Sequence, residues 1–144
     1  MGNLPEEINI KDINKALVII VELRMRLDAL TYDSSDYDNL EEELHELEDD
    51  FLEKYGDYLE DALIDVHDEY CPDTDVLLPI AYLAKKYIKK DTNFDVLDDG
   101  QGVWVELEDE FEHLEGHIVI IPSPLRIVLF TSKNEKKIVW RSKE

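Results

Sequence analysis

The spacing of apolar residues changes once along this chain, near Asp91, and that change limits the folds open to it. Before it, apolar positions recur at threes and fours, the spacing of one face of a helix; after it they alternate by twos, the spacing of a strand. From Lys11 to about Leu30 the stripe reads Ile13, Leu17, Ile20, Leu23 or Arg24, Leu27 and Leu30, with Asn9 as the expected cap. Val18, Ile19 and Val21 widen it, which predicts a central helix with neighbours on more than one side. A second stripe of Leu40, Leu44, Leu47, Phe51, Tyr55, Tyr58, Ala62 and Val66 predicts a helix over 39–70, roughly 45 Å long. Ser35 or Asp36 is placed to cap it, Cys71-Pro72 ends it, and Gly56 at its middle predicts a bend or break.

A third, shorter helix is expected from about Val76 to Lys89, capped by Thr74 or Asp75, with Pro79 in its first turn and Lys85, Lys86, Lys89 and Lys90 at its C-terminal end. Five strands are then predicted: Phe94–Leu97, Val103–Glu108, His117–Ile121, Leu125–Thr131 and Lys137–Arg141, separated by short turn-forming segments. The expected class is α+β. An N-terminal antiparallel helical hairpin and the short third helix (1–91) pack on a C-terminal antiparallel β-meander of four or five strands (92–144), all within a single domain, 1–144.

Charge divides the chain as sharply as periodicity does. Residues 1–75 carry 24 acidic and 5 basic side chains, residues 76–144 carry 12 and 10, and the formal net charge is -21. From Asn39 to Tyr70 fourteen carboxylates face one lysine, Lys54. Phosphate binding depends on Lys and Arg displacing counterions, so a nucleic-acid partner is not expected. The longest apolar run, Ala16–Val21, is six residues against the roughly twenty that span a bilayer, so no membrane partner is expected either. With one cysteine, no internal disulfide can form, and no segment has the basic-then-apolar pattern of a secretory signal; the expected compartment is the cytoplasm.

No motif assigns a chemistry. Glu42 and His45 have the i, i+3 spacing that di-iron bundles use, but such a site needs a second Glu-x-x-His and two more inward glutamates. Glu110 to His113 repeats the spacing between predicted strands. His113 and His117, four apart, would share a zinc ion on a helix, yet Gly116 and the strand pattern oppose a helix there. Asp91, Asn93 and Asp95 open like a calcium loop, with Val96 where glycine belongs and Gly102 where the bidentate glutamate belongs. Cys71 at a helix C-terminus has a dipole opposing its thiolate, and is read as inert. His67, Asp68 and Glu69 point in different directions from adjacent helical positions. Phe51, Tyr55, Tyr58 and Tyr70 are read as packing against the first helix. The last two strands are apolar on both faces, so the face away from the helices is expected to be covered by a helix, a second subunit in a homodimer, or a partner.

The one-sidedness of the acid remains. Ordinary exposed helices intersperse lysines to gain i, i+4 pairs. The leading expectation is an acidic interaction or regulatory protein that presents Glu42, Glu46, Asp49, Asp50, Glu53, Asp57, Glu60 and Asp61 to a basic protein partner, with no cofactor. The alternatives are a metal-dependent enzyme built on His45, His113 or His117 with nearby glutamates, and a structural subunit without ligand.

Overall fold

In the computed structural model, which describes residues 10–30, 35–84, 87–91, 93–96, 102–107, 114–131 and 135–141, helices precede strands and the class is broadly α+β. Helix α1 spans Ile10–Asp28 and α2 spans Tyr37–Tyr70. A 3-10 turn follows at Pro79–Tyr82, then strands β1 (Ile88–Lys90), β2 (Asn93–Asp95), β3 (Val103–Leu107), β4 (Leu114–Ile121), β5 (Arg126–Thr131) and β6 (Lys136–Arg141). Strands β1 and β2 pair with each other, and β3-β4-β5-β6 form a second antiparallel sheet in that order. The strand predicted at Phe94 therefore belongs to a separate two-stranded sheet. Asn9 lies outside the described residues.

The two faces of α1 explain its excess of apolar residues. Ile13, Leu17, Ile20 and Leu23 join Leu44, Phe51, Leu59, Leu63 and Val66 of α2 and the sheet residues Val105, Ile118, Ile120, Ile127 and Leu129 in one buried core. About 100° round the helix, Val21, with Val18 and Met25 packed beside it, enters a second cluster with Ala84, Tyr87, Phe94, Val96, Val119, Ile121, Val128 and Phe130. Residues 118–121 and 127–130 are consequently buried on both sides of the sheet, each large side chain contributing roughly 1.5–3 kcal/mol. The second face of β4 and β5 thus finds cover within the chain, from Val21 of α1 and from Ala84, Tyr87, Phe94 and Val96.

Among the described residues of 76–89 the expected third helix does not form, and Lys85 and Lys86 lie outside them. Leu78, the residue before Pro79, is held extended, because the proline ring crowds a helical conformation there, and the turn that follows stops at Tyr82. The downstream chain is then tied to the sheet. Leu83 forms a parallel bridge with Ile120, and the Tyr87 hydroxyl accepts from the Ala84 N–H (2.9 Å) while donating to the Ile120 carbonyl (2.8 Å). Ile88–Lys90, where the end of a helix was expected, is a strand. Leu77, Ile80, Ala81 and Ala84 recur at helical intervals, but that run is too short for spacing alone to outweigh the tertiary ties.

Helix α2 runs unbroken through Gly56, and so is about 51 Å long. Asp36 occupies the N-cap position with helical backbone angles and no side-chain capping bond. The turn between β4 and β5 is held by α1 and β2. Asn14 accepts from the Ser123 N–H (2.7 Å) and donates to its hydroxyl (3.1 Å), bracing a residue at φ +56. Arg126 donates to the carbonyls of Pro124 (2.7 Å) and Phe94 (2.8 Å).

Candidate functional site: the anionic face of the long helix

Because successive residues of an α-helix turn by 100°, the eight carboxylates of Glu42, Glu46, Asp49, Asp50, Glu53, Asp57, Glu60 and Asp61 fall within an arc of about 120°. The core residues of α2 lie on the opposite side. Glu42, Glu46, Asp49, Asp50, Glu53, Asp57 and Asp61 are exposed and Glu60 is half-exposed. Lys54 pairs with Asp50 across one turn at 3.1 Å, both side chains being well exposed, so that pair offsets little of the field. Beyond Asp61 the charge continues toward the C-terminal end of the helix, where Asp65, Asp68 and Glu69 are also exposed.

One acid of the same helix does something else. Glu48 sits four residues after Leu44 and three before Phe51, on the apolar stripe, and is 8% exposed. Its Oε2 accepts from Arg24 Nε (2.9 Å) and Nη2 (2.7 Å), joining the two helices through a charge-assisted pair. Both residues stand at stripe positions in the sequence. An acid in one apolar stripe and an arginine in another was the signal that could have paired them.

His67 is the second buried polar residue of α2, and its partners select the tautomer of its ring. Nδ1 faces the Thr74 carbonyl at 2.9 Å, which can only accept, so Nδ1 carries the hydrogen. Nε2 then accepts from the Tyr82 hydroxyl (2.9 Å), whose oxygen in turn accepts from the Leu77 N–H (2.9 Å). Every donor in the chain has an acceptor. The fully buried Tyr82 and His67 rings also meet edge to face, and together they clamp the segment 74–82 onto the end of α2. Sequence reasoning saw in His67 only a neighbour of Asp68 and Glu69; its place four residues after Leu63 was the available sign of burial.

Cys71 lies beside this clamp. Burial pushes its thiol up to about 11, so it stays protonated at neutral pH and is a poor nucleophile. Phe51 is buried, and Tyr55, Tyr58 and Tyr70 pack half-buried against the main core. Tyr58 meets Trp140 of β6 edge to face, while Lys137 lies over the Tyr70 ring at 4.9 Å.

Of the residues proposed for a metal, the described ones lie on different elements. Glu42 and His45 are exposed on α2, and His113 lies outside the described residues. His117 stands on β4 opposite Trp104 of β3 and Phe130 of β5. Among the described residues no three His, Cys, Asp or Glu side chains are grouped to hold an ion, and no helix is long and apolar enough to cross a membrane.

A groove of about 670 Å³ runs between α1 and the two-stranded sheet, floored by Ile19, Leu23, Met25, Ala29 and Phe94. Its rim carries Glu22, Glu43, Arg26 and Lys89, and Glu22 is paired with Lys89 at 3.1 Å. The rim balances acid against base, and so selects no sign of ligand. Comparison of the chain with protein-family models, with curated proteins and with solved structures finds no match.

Proposed function

We propose that this protein is an interaction module that presents the outward face of α2 to a basic protein partner. In this reading α1 and α2 form an antiparallel hairpin, with α2 outermost and the four-stranded meander as its support. The observation that carries the proposal is the placement of eight carboxylates along one side of an unbroken helix whose opposite side is core. From Glu42 to Asp61 the helix rises roughly 28 Å, so the arc holds about one charge per 3.5 Å. Projected on the duplex axis, one strand of DNA carries a charge about every 3.4 Å. A lysine- and arginine-rich surface suited to lie along a duplex therefore meets a comparable axial density of charge here, on a rigid rod that needs little ordering to bind.

The arrangement also costs stability, since like charges at i, i+4 repel and lysines at those positions would have helped the helix. Affinity capture from lysate tests the proposal. The wild-type chain is compared with the Glu42→Gln/Glu46→Gln/Asp49→Asn/Glu53→Gln variant at 50 mM and about 500 mM salt, where the screening length falls several-fold below the span of the arc. The expected outcome is a defined basic species held by the wild type at low salt and lost both in the variant and at high salt. Identical capture by the two proteins at both salt concentrations would refute it.

A further inference from the structure

Carboxylates alone attract any cation; selectivity in interfaces comes from desolvated apolar anchors surrounded by polar rims. Among the described residues six large apolar side chains are exposed; Ile19, Trp104 and Ile138 lie on other elements, while Ile64 (39%), Leu77 (45%) and Leu78 (55%) belong to the C-terminal part of α2 and the segment clamped to it. Ile64 belongs to α2 and projects near the middle of the acidic arc, with Glu60, Asp61 and Asp68 as its i−4, i−3 and i+4 neighbours. His67 is one helical turn further on. Through the Tyr82 hydroxyl it is two hydrogen bonds, each 2.9 Å, from the backbone of Leu77. The clamp that holds 74–82 on α2 thus keeps Leu77 and Leu78 at the C-terminal end of the helix that carries Ile64, in a stretch of chain where Asp73 and Asp75 are also exposed.

We propose that Ile64, Leu77 and Leu78 are the apolar centre of the docking surface, and that its occupant is a cationic amphipathic segment of a partner protein. Leucine-like side chains of that segment cover the three residues, and its lysines or arginines reach Asp61, Asp68 and Asp75. This rests on the functional reading above and narrows it to one end of α2. Charge complementarity chooses the occupant: a second copy would bring -21 against -21, whereas a basic segment meets opposite charge around the apolar anchors. Leu78 is fixed in extended conformation ahead of Pro79, and the Leu77 N–H is bonded to Tyr82, so the surface is already ordered before binding.

The test uses the full chain, labelled with nitrogen-15, titrated with two synthetic 18-residue peptides: an amphipathic leucine-lysine helix and an all-lysine chain. Expected are amide shifts centred on Ile64, Leu77 and Leu78 with the amphipathic peptide, and binding at least 10-fold tighter than that of the all-lysine peptide. In the Ile64→Ser/Leu77→Ser/Leu78→Ser variant the two peptides should bind alike, at the all-lysine affinity. Should that variant lose spectral dispersion, Leu78→Ser alone, at the most exposed position, is expected to give at least a 3-fold loss for the amphipathic peptide only. Unchanged amphipathic binding in the folded serine variants, or shifts confined to 42–57, would overturn the inference while leaving the charge-based function standing. Failure of both peptides to bind the wild type would overturn both.

Discussion

His67 shows what a single polar side chain can organise once it is taken out of water. Its ring bridges the Thr74 carbonyl and the Tyr82 hydroxyl, and that hydroxyl also holds the Leu77 N–H, so one residue satisfies a chain of buried groups. Replacing it by phenylalanine keeps much of the volume and removes both bonds. Orphaned buried groups cost about 1–3 kcal/mol each, so His67→Phe should lower the unfolding free energy by at least that much, read as a lower urea midpoint at unchanged slope. Tyr82→Phe cuts the same chain at another point, and the double variant should therefore lose less than the two singles together; additive losses would show that the residues act separately. Gly102 makes a different demand. At φ +83, with a Cβ directed at the Ile118 carbonyl oxygen, it admits no side chain, whereas the spacing of the residues around it marks only a turn.

At the scale of elements, α2 is continuous where its glycine led to an expected break. Gly56 has an ordinary helical conformation, and an added Cβ would meet only Leu52, at 3.7 Å. Gly56→Ala should accordingly raise stability by about 1 kcal/mol, read as a higher denaturant midpoint with an unchanged slope. The join between β2 and β6 is electrostatic. Burial opposes the charge on Asp95, but the Lys136 ammonium bonded at 2.7 Å, the Val96 N–H and the nearby Arg126 outweigh it and hold the carboxyl below its usual range. A carboxyl depressed in the folded state stabilises it above the unfolded value near pH 4, and that contribution disappears as pH falls through the folded value. Asp95→Asn should thus be less stable than the wild type at pH 7, by less than about 1 kcal/mol for so exposed a group, and the difference should close below about pH 4. Urea melts at pH 7, 4 and 2.5 measure it.

The elements differ in how legible they were, and the difference follows from length. Nineteen and thirty-four residues of period 3.6 identified α1 and α2, and alternation located β3, β5 and β6 to within a residue or two. Residues 76–90 were misread because the apolar spacing there is short, while the forces that shape the segment are long-range. These are the His67 clamp, the Leu83 bridge to Ile120 and the Tyr87 hydroxyl between Ala84 and Ile120. Of the candidate site, the acidic arc was legible because exposure on an amphipathic helix follows from the position of its apolar stripe. Leu77 and Leu78 were not, since nothing in their sequence neighbourhood tells that they are left outside the core.

For the whole molecule, net charge opposes compactness. A formal charge of -21 on a chain this size repels itself in the folded state, and salt relieves that repulsion more than it weakens the few exposed ion pairs. The melting temperature should therefore rise between 10 and 300 mM sodium chloride, and the charge-neutralised helix variant should show a smaller rise; a scanning fluorescence melt distinguishes the two. Sequence by itself determined which segments are helix and strand over most of the chain, and that α2 turns most of its acids outward, because periodicity and charge are local properties that survive without a partner. Only the tertiary structure decided that α1 serves two cores, that Glu48 turns inward to Arg24, and that residues 74–82 are clamped to α2. Those outcomes depend on which groups distant in sequence can bury and bond one another, a matter settled by packing in three dimensions.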